Sequence, residues 1–262
     1  MNTDELYTEL ERQYFSEEMQ EKDEIELLPK LLEGVKTFVD VGASLGQYAY
    51  FSGKIIKGGR IVCVEADPVR YERLKQMAHE WQKTSENTYE VINAAASDKK
   101  GRTTFFVTDE SLCGGLFKYW VPDDPSLIGK VNWRGVEIAC VTLDSIFPDG
   151  NADLIKIDVE GAEYRVIEGA TNLLIKGNSR FLVEIHPWGD SEYSKTPSDV
   201  FRLFHQYGYD FSRTHRHWLF QKTKHKFIPW IKFRLITVVM NNAWIKDALK
   251  RIVLKLGSSS RR

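Results

Sequence analysis

The turn Asp40-Val41-Gly42-Ala43-Ser44-Leu45-Gly46 is the first place where residue types and spacing could do chemistry. Gly42 and Gly46 let the backbone bend sharply and approach a ligand. A helix beginning after Gly46 would offer free N–H groups and the positive end of its dipole to an anion such as a carboxylate. Glu65 follows Gly42 by 23 residues, at the end of the apolar run Arg60–Glu65. A carboxylate at that place can accept both hydroxyls of a ribose. Three patterns compete. The dinucleotide fingerprint G-x-G-x-x-G needs a glycine where Ser44 stands. The hydrolase elbow G-x-S-x-G is matched literally by residues 42–46, and Ser44, Asp158 and His186 follow the hydrolase order. That elbow normally follows several strands, whereas only helix precedes this one. The third pattern is D-x-G-x-x-x-G with an acid after the second strand.

A second group of residues comes later in the chain. Lys156, Asp158 and Glu160 are spaced by two, as are Glu184 and His186. If the strands persist to their ends, each set points to one side. A sugar or alkyl hydroxyl is a poor nucleophile until its proton is removed, and a nearby His or carboxylate can remove it. His186 is the preferred base, because an ordinary imidazole titrates near working pH. Asp158 would orient it or the acceptor, Glu160 completes the catalytic set, and Lys156 would neutralise the carboxylates. Lys156 and Glu184 read equally well as partners in structural ion pairs. Asp158, Glu160, Glu184 and His186 also offer mixed O and N ligands that a divalent metal accepts. No tight ligand motif joins them, so no metal site is predicted. Glu163 opens a helix, where an acid complements the dipole.

The elements that must position these residues alternate. Strands are expected at 37–41, 60–65, 89–93, 103–108, 136–143, 152–158 and 180–185. Helices are expected at 47–56, 69–83, 163–175 and 197–206. A hairpin is expected from 209–213 and 218–222. Strands alternating with helices of this size imply an α/β, mostly parallel sheet with helices on both faces. The strand before Asp158 should then lie beside the one bearing Asp40, across the switch point where ligands bind. Residues 1–34 read as an N-terminal helical cover, 35–222 as the main domain and 223–262 as a basic tail. Residues 109–135, rich in Gly, Pro and aromatics, read either as a lid or as a loop pinned to the core.

Ordered blocks from Lys36 to His186 resemble the FkbM family of class I S-adenosylmethionine-dependent methyltransferases. The blocks are FVDVGASLGQYA (38–49), IVCVEADP (61–68), INAAASDKKG (92–101), VTLDSI (141–146), DLIKIDVEGAEYRVIEGA (153–170) and FLVEIH (181–186). The first two are general to the class, and the I-K-I-D-V-E-G-A-E block with the later E-I-H is the specific part. The resemblance implies a Rossmann-like class I fold with seven strands. It implies that Asp40, Gly42, Ala43, Ser44 and Gly46 hold the methionyl end of the cofactor. Glu65 would bind the ribose hydroxyls, with Ala66 and Asp67 beside the adenine. Ala95, Ala96 and Ser97 would line the adenine pocket. Asp158, Glu160 and His186 would converge near the sulfonium. The implied reaction is O-methylation of a glycan, glycolipid or secondary metabolite. N-methylation and a non-catalytic cofactor-binding or membrane-associated scaffold are the alternatives.

Charge is unevenly distributed along the 262 residues. Residues 211–262 carry 13 Lys and Arg against one acid, Asp247, leaving 23 bases against 36 acids in residues 1–210. From Asn241 to Leu256, Trp244, Ile245, Ala248, Leu249, Ile252, Val253 and Leu256 follow helical spacing opposite Lys and Arg. A cationic amphipathic helix of that kind can lie on an anionic membrane or pack on the acidic body. No RNA-module signature is present, so no nucleic-acid partner is expected. Three cysteines without paired spacing argue against a disulfide framework and against a CxxC zinc site. The polar N-terminus is unlike a signal peptide. A cytoplasmic protein, peripheral to membrane if the tail binds lipid, is the expectation.

Overall fold

A computed structural model of the chain describes residues 22–108, 114–116, 132–187, 190 and 192–223. Helix α1 (Lys22–Leu31) is followed by strand β1 (Thr37–Val41), α2 (Gln47–Ile55), β2 (Arg60–Glu65), α3 (Pro68–Thr84) and β3 (Thr88–Asn93). Then come β4 (Ala95–Ala96), β5 (Gly101–Thr108), β6 (Gly114–Gly115), β7 (Trp133–Val141) and α4 (Leu143–Ile146). The last elements are β8 (Leu154–Ile157), α5 (Glu163–Glu168), α6 (Thr171–Lys176), β9 (Arg180–Val183), α7 (Pro197–Gln206), β10 (Tyr209–Arg213) and β11 (Trp218–Lys222).

The main sheet runs β10-β11-β9-β8-β1-β2-β3. Only β11 is antiparallel to its neighbours. This is the Rossmann-like class I arrangement with its C-terminal hairpin. The central strands are apolar apart from Asp40 of β1 and Lys156 of β8, because helices cover both faces. Phe38 joins the cluster beneath α1, α2 and α3, while Val39 and Val41 join the cluster beneath the later helices. Asp40 is therefore a polar residue in a buried row. Helix α3 starts where the sequence tells it to. Asp67 Oδ1 accepts from the Val69 and Arg70 amides at 2.8 and 3.3 Å, and Pro68 opens the first turn. The hairpin is fastened by aromatic packing, with Phe204 stacked on Phe220 at 3.9 Å and Phe181 edge-on to Phe204 at 5.2 Å.

Three expectations change. The helix expected over 163–175 divides into α5 and α6 at Gly169, where a Cβ would meet the Ser97 carbonyl oxygen at 2.0 Å. Strands β8 and β9 stop at Ile157 and Val183, so Asp158, Glu184 and His186 stand beyond the regular alternation. The strands expected at 103–108 and 136–143 do not extend the main sheet. As β5 and β7 they pair with each other and, with β4 and β6, form a second sheet of order β4-β7-β5-β6. Most of the 109–135 insert, residues 1–21 of the expected cover and the tail from residue 224 onward lie outside the described residues. No helix among the described residues is long and apolar enough to cross a membrane.

Candidate active site

The carboxyl ends of β1 and β8 are adjacent, with Asp40 paired to Lys156 and Val41 to Ile157. The chain leaves β1 toward α2 on one face and leaves β8 toward α5 on the other, which opens a crevice. A cleft of about 280 Å³ fills it. Gly42, Ser44, Glu65, Ala66, Ala95 and Ala96 line one part, Asp158 and Glu160 another, and Phe105 of β5 and Leu116 just after β6 close the side.

The glycine turn is built by contact. Gly42 has φ +74°, and a Cβ there would meet the Asp158 carbonyl oxygen at 1.8 Å. Its amide and that of Ala43 donate to the Val64 carbonyl at 2.9 and 3.2 Å, which ties the turn to β2. Ser44 (φ +51°) and Glu160 (φ +55°) adopt left-handed backbone that non-glycine residues rarely take, and both lie on the cleft wall. Glu65 is buried. Its Oε2 accepts from the Ser44 amide at 2.7 Å and its Oε1 from the Asp67 amide at 2.8 Å. Each oxygen keeps a second lone pair for a hydroxyl donor. Burial raises its carboxyl above the ordinary range, against the pull of the two amides.

Other residues implied for the cofactor support the cleft from behind. Asp40 is fully buried, with Oδ1 3.3 Å from Lys156 Nζ. Burial pushes its carboxyl up, and Lys156 opposes that. Ala43 packs in the core under α1 to α3, and a side chain at Gly46 would strike Leu74 and Trp81. Asp67 caps α3, and Ser97 is buried with its hydroxyl donating to Asp98 at 2.9 Å. Lys156 joins the two halves of the site. Its Nζ lies 3.2 Å from the Gly42 carbonyl oxygen and 3.6 Å from Asp158 Oδ2.

Asp158, Glu160 and His186 do come together. His186 Nε2 is 3.8 Å from Asp158 Oδ1 and 3.4 Å from Glu160 Oε2, while Nδ1 is 2.7 Å from Glu163 Oε1. Burial alone would lower the imidazole pKa, but the Glu163 bond and the carboxylates on its other side raise it to about 9. An imidazole raised that far lies outside the ordinary range on which the expectation of His186 as base rests. It is also set back from the cleft wall that Asp158 and Glu160 form. Burial pushes the Asp158 carboxyl up, but Lys156 and His186 bring it below the ordinary range. Burial leaves Glu160 raised despite His186.

Several participants are not evident from sequence spacing. Glu163, expected to complement a helix dipole, is buried, accepts from the Gly161 amide at 2.9 Å and holds His186. The pairing of Trp218 with Val183 brings Arg216 and His217 beside Glu184. Glu24 of α1 reaches the same hairpin turn, where it accepts from Thr214 Oγ1 at 2.8 Å and the His217 amide at 3.0 Å. Burial raises the Glu24 carboxyl, but His217 and Thr214 outweigh it and hold the pKa down at about 2.

The sequence model of the methyltransferase FkbM domain matches residues 40–211. No curated protein matches the chain. Among solved structures, the FkbM methyltransferase from Methylobacillus flagellatus KT is 18% identical with a TM-score of 0.48. The match covers 71% of this chain and 43% of that one, so this chain spans less than half of that protein's length. A precorrin-6y C5,15-methyltransferase from Geobacter metallireducens is 11% identical with a TM-score of 0.42, covering 76% and 87%. The methyltransferase PaMTH1 from Podospora anserina, solved with S-adenosylhomocysteine, is 10% identical with a TM-score of 0.37, covering 81% of each. With the family match extending over most of the sheet and through both halves of the cleft, the chain belongs to the FkbM methyltransferase family.

Proposed function

We propose that the protein transfers a methyl group from S-adenosylmethionine to a hydroxyl oxygen of a glycan, glycolipid or secondary metabolite. One observation carries the reading. A single cleft at the switch point joins the glycine turn and Glu65 to the carboxylates Asp158 and Glu160. The residues present fit the cofactor. Gly42 lines the cleft with its main chain, packed directly on the Asp158 carbonyl, and Glu65 is a buried carboxylate with acceptor capacity at the end of β2. In this reading Gly42 and Ser44 hold the methionyl end and Glu65 accepts from the ribose hydroxyls. Ala66, Ala95, Ala96, Phe105 and Leu116 enclose the adenine. When bound, the cofactor supplies an electrophilic methyl carbon carried on a cationic sulfur.

The chain's own work is to align the acceptor and to receive its proton. Asp158 orients the hydroxyl. Glu160, on the cleft wall and 45% exposed at its side chain, takes up the proton and returns it to solvent. His186 acts through these carboxylates as a positioning residue, with Glu163 fixing its ring. The excess of Lys and Arg in residues 211–262 supports an acceptor presented at an anionic membrane surface. Sedimentation of the full chain with anionic but not with neutral vesicles checks that part.

Calorimetric titration with S-adenosylhomocysteine tests the assignment. Micromolar binding is expected in the wild type. Glu65→Gln should weaken it about 10- to 100-fold, the size of hydrogen bonds to a charged acceptor. Glu160→Gln should keep cofactor affinity while turnover falls about 10²- to 10⁴-fold. A folded wild-type protein that does not bind removes the reading.

A further inference from the structure

Beyond the cleft, the ends of β8 and β9 and the turn between β10 and β11 meet at a second polar cluster. The Glu184 amide donates to the Ile157 carbonyl at 2.9 Å, which seats Glu184 beside Asp158. Antiparallel pairing of β11 with β9 brings His217 alongside. One ligand atom each from Asp158, Glu184 and His217 lie within 4.8 Å of one another. His217 is 0% exposed, and its ring Nε2 makes no hydrogen bond. Its main chain is fully engaged, the amide with Glu24 and the carbonyl with Thr214. The ring is thus held in place with Nε2 unspent. A buried polar atom without a partner is destabilising, which asks for a ligand at Nε2.

The ring's surroundings give its two nitrogens different tasks. Nδ1 faces Glu24 Oε1 at 3.4 Å, and Nε2 faces Glu184 Oε2 at 3.9 Å. A proton on Nδ1, turned to the Glu24 carboxylate, leaves the Nε2 lone pair toward the cluster. This carboxylate–imidazole arrangement is the one that orients metal-binding histidines. Ligand atoms about 2.1 Å from one cation stand roughly 3–4 Å apart, so the 3.9 Å pair is already in range and the rest close by side-chain rotation. Two carboxylates and one imidazole suit a first-row divalent ion. Lys156 lies 3.6 Å from Asp158 Oδ2, His186 Nε2 lies 3.8 Å from Asp158 Oδ1, and Arg216 lies 3.0 Å from Glu184 Oε1, which leaves Glu184 Oε2 facing His217. Glu24, Asp40, Asp158, Glu160, Glu163 and Glu184 outnumber Lys156, Arg216 and a protonated His186.

We infer that Asp158, Glu184 and His217 form a binding site for one divalent cation of the Mn²⁺ or Zn²⁺ type, adjoining the cleft through Asp158. The site stands whatever the methyl acceptor is. Mn²⁺ alone is the probe, titrated into the full chain and followed by the paramagnetic resonance signal of the free ion. One ion per chain is expected, bound at least 10-fold more weakly by Glu184→Gln. Pulsed resonance should detect a directly bound imidazole nitrogen in the wild type and in His186→Gln, and not in His217→Asn. Absence of saturable binding, equal binding by Glu184→Gln, or loss of the nitrogen signal in His186→Gln rather than His217→Asn would overturn the inference. If His217→Asn does not fold, the partly exposed Glu184→Gln and the His186→Gln signal decide.

Discussion

Gly42→Ala is the sharpest test of how the turn serves the site. The new Cβ would lie 1.8 Å from the Asp158 carbonyl oxygen and 2.9 Å from its carbon, where ordinary contact begins at 3.4 Å. One of the two chains must retreat by more than 1 Å. The φ of +74° adds the left-handed penalty of an L side chain, about 1–2 kcal/mol. Overpacking against fixed backbone adds about 1–3 kcal/mol. The stability loss should therefore be about 2–5 kcal/mol in urea unfolding. The displacement falls on Asp158 and on the floor of the cleft, and misplacement of that size costs about 10²-fold at a reacting site. S-adenosylhomocysteine affinity should fall at least 10-fold in a still-folded sample. Gly58→Ala is the control, because Gly58 has φ +60° with nothing within 4 Å of its added Cβ. It should carry the backbone penalty alone and leave affinity unchanged. If Gly42→Ala binds like wild type, or if Gly58→Ala loses affinity equally, close approach at Gly42 is not what shapes the cleft.

Glu24 supplies a pH signature. Its pKa is about 2 in the fold against an ordinary 4.5, so its contribution is complete above pH 4.5 and is lost as pH falls toward 2. The difference is worth about 3 kcal/mol, and Glu24→Gln should be less stable than wild type by that much at pH 7, with the gap narrowing below pH 4.5 in urea titrations. A gap that is constant with pH would mean that charge plays no part in clamping α1 to the hairpin. Lys156→Met should cost about 3–5 kcal/mol in the same assay, because Asp40 is left as a buried acid with its cation removed. Adding Asp40→Asn should restore part of that loss, and no restoration would place the role of Lys156 with Gly42 and Asp158 instead.

Much of the fold is legible because strands buried on both faces carry apolar runs, as in Ile61–Val64 and Phe181–Val183. The Asp67-Pro68 start of α3 and the Gly42 turn are legible for a related reason: local backbone chemistry dictates the residue type. Legibility ends where a contact depends on register between distant segments. The bond between Glu24 and the His217 amide spans 193 residues, and nothing near either residue announces it. Gly169 reads as a tolerated helical glycine until the Ser97 carbonyl is seen where its Cβ would be. His186 stands beside Asp158 and Glu160, but its ring is held by Glu163, which the spacing reads as a partner of the helix dipole.

The two halves of the cleft obey different physics, and Lys156 is where they meet. On the β1–β2 side the working groups are backbone: a bare glycine, amides turned onto Glu65, and small alanine walls. Such a surface binds by fit and tolerates few side chains. On the β8–β9 side the working groups are charges at strand ends, whose protonation depends on one another through His186, Lys156 and Arg216. Such a surface can be retuned by single substitutions without refolding the sheet. Lys156 belongs to both, since its ammonium reaches the Gly42 carbonyl oxygen, Asp40 and Asp158 from one buried position. A shift in the glycine turn would therefore move the Lys156 ammonium relative to Asp158. The two halves thus meet twice, at the Lys156 ammonium and at the close approach of the Gly42 turn to the Asp158 main chain, both at the switch point where β1 and β8 part.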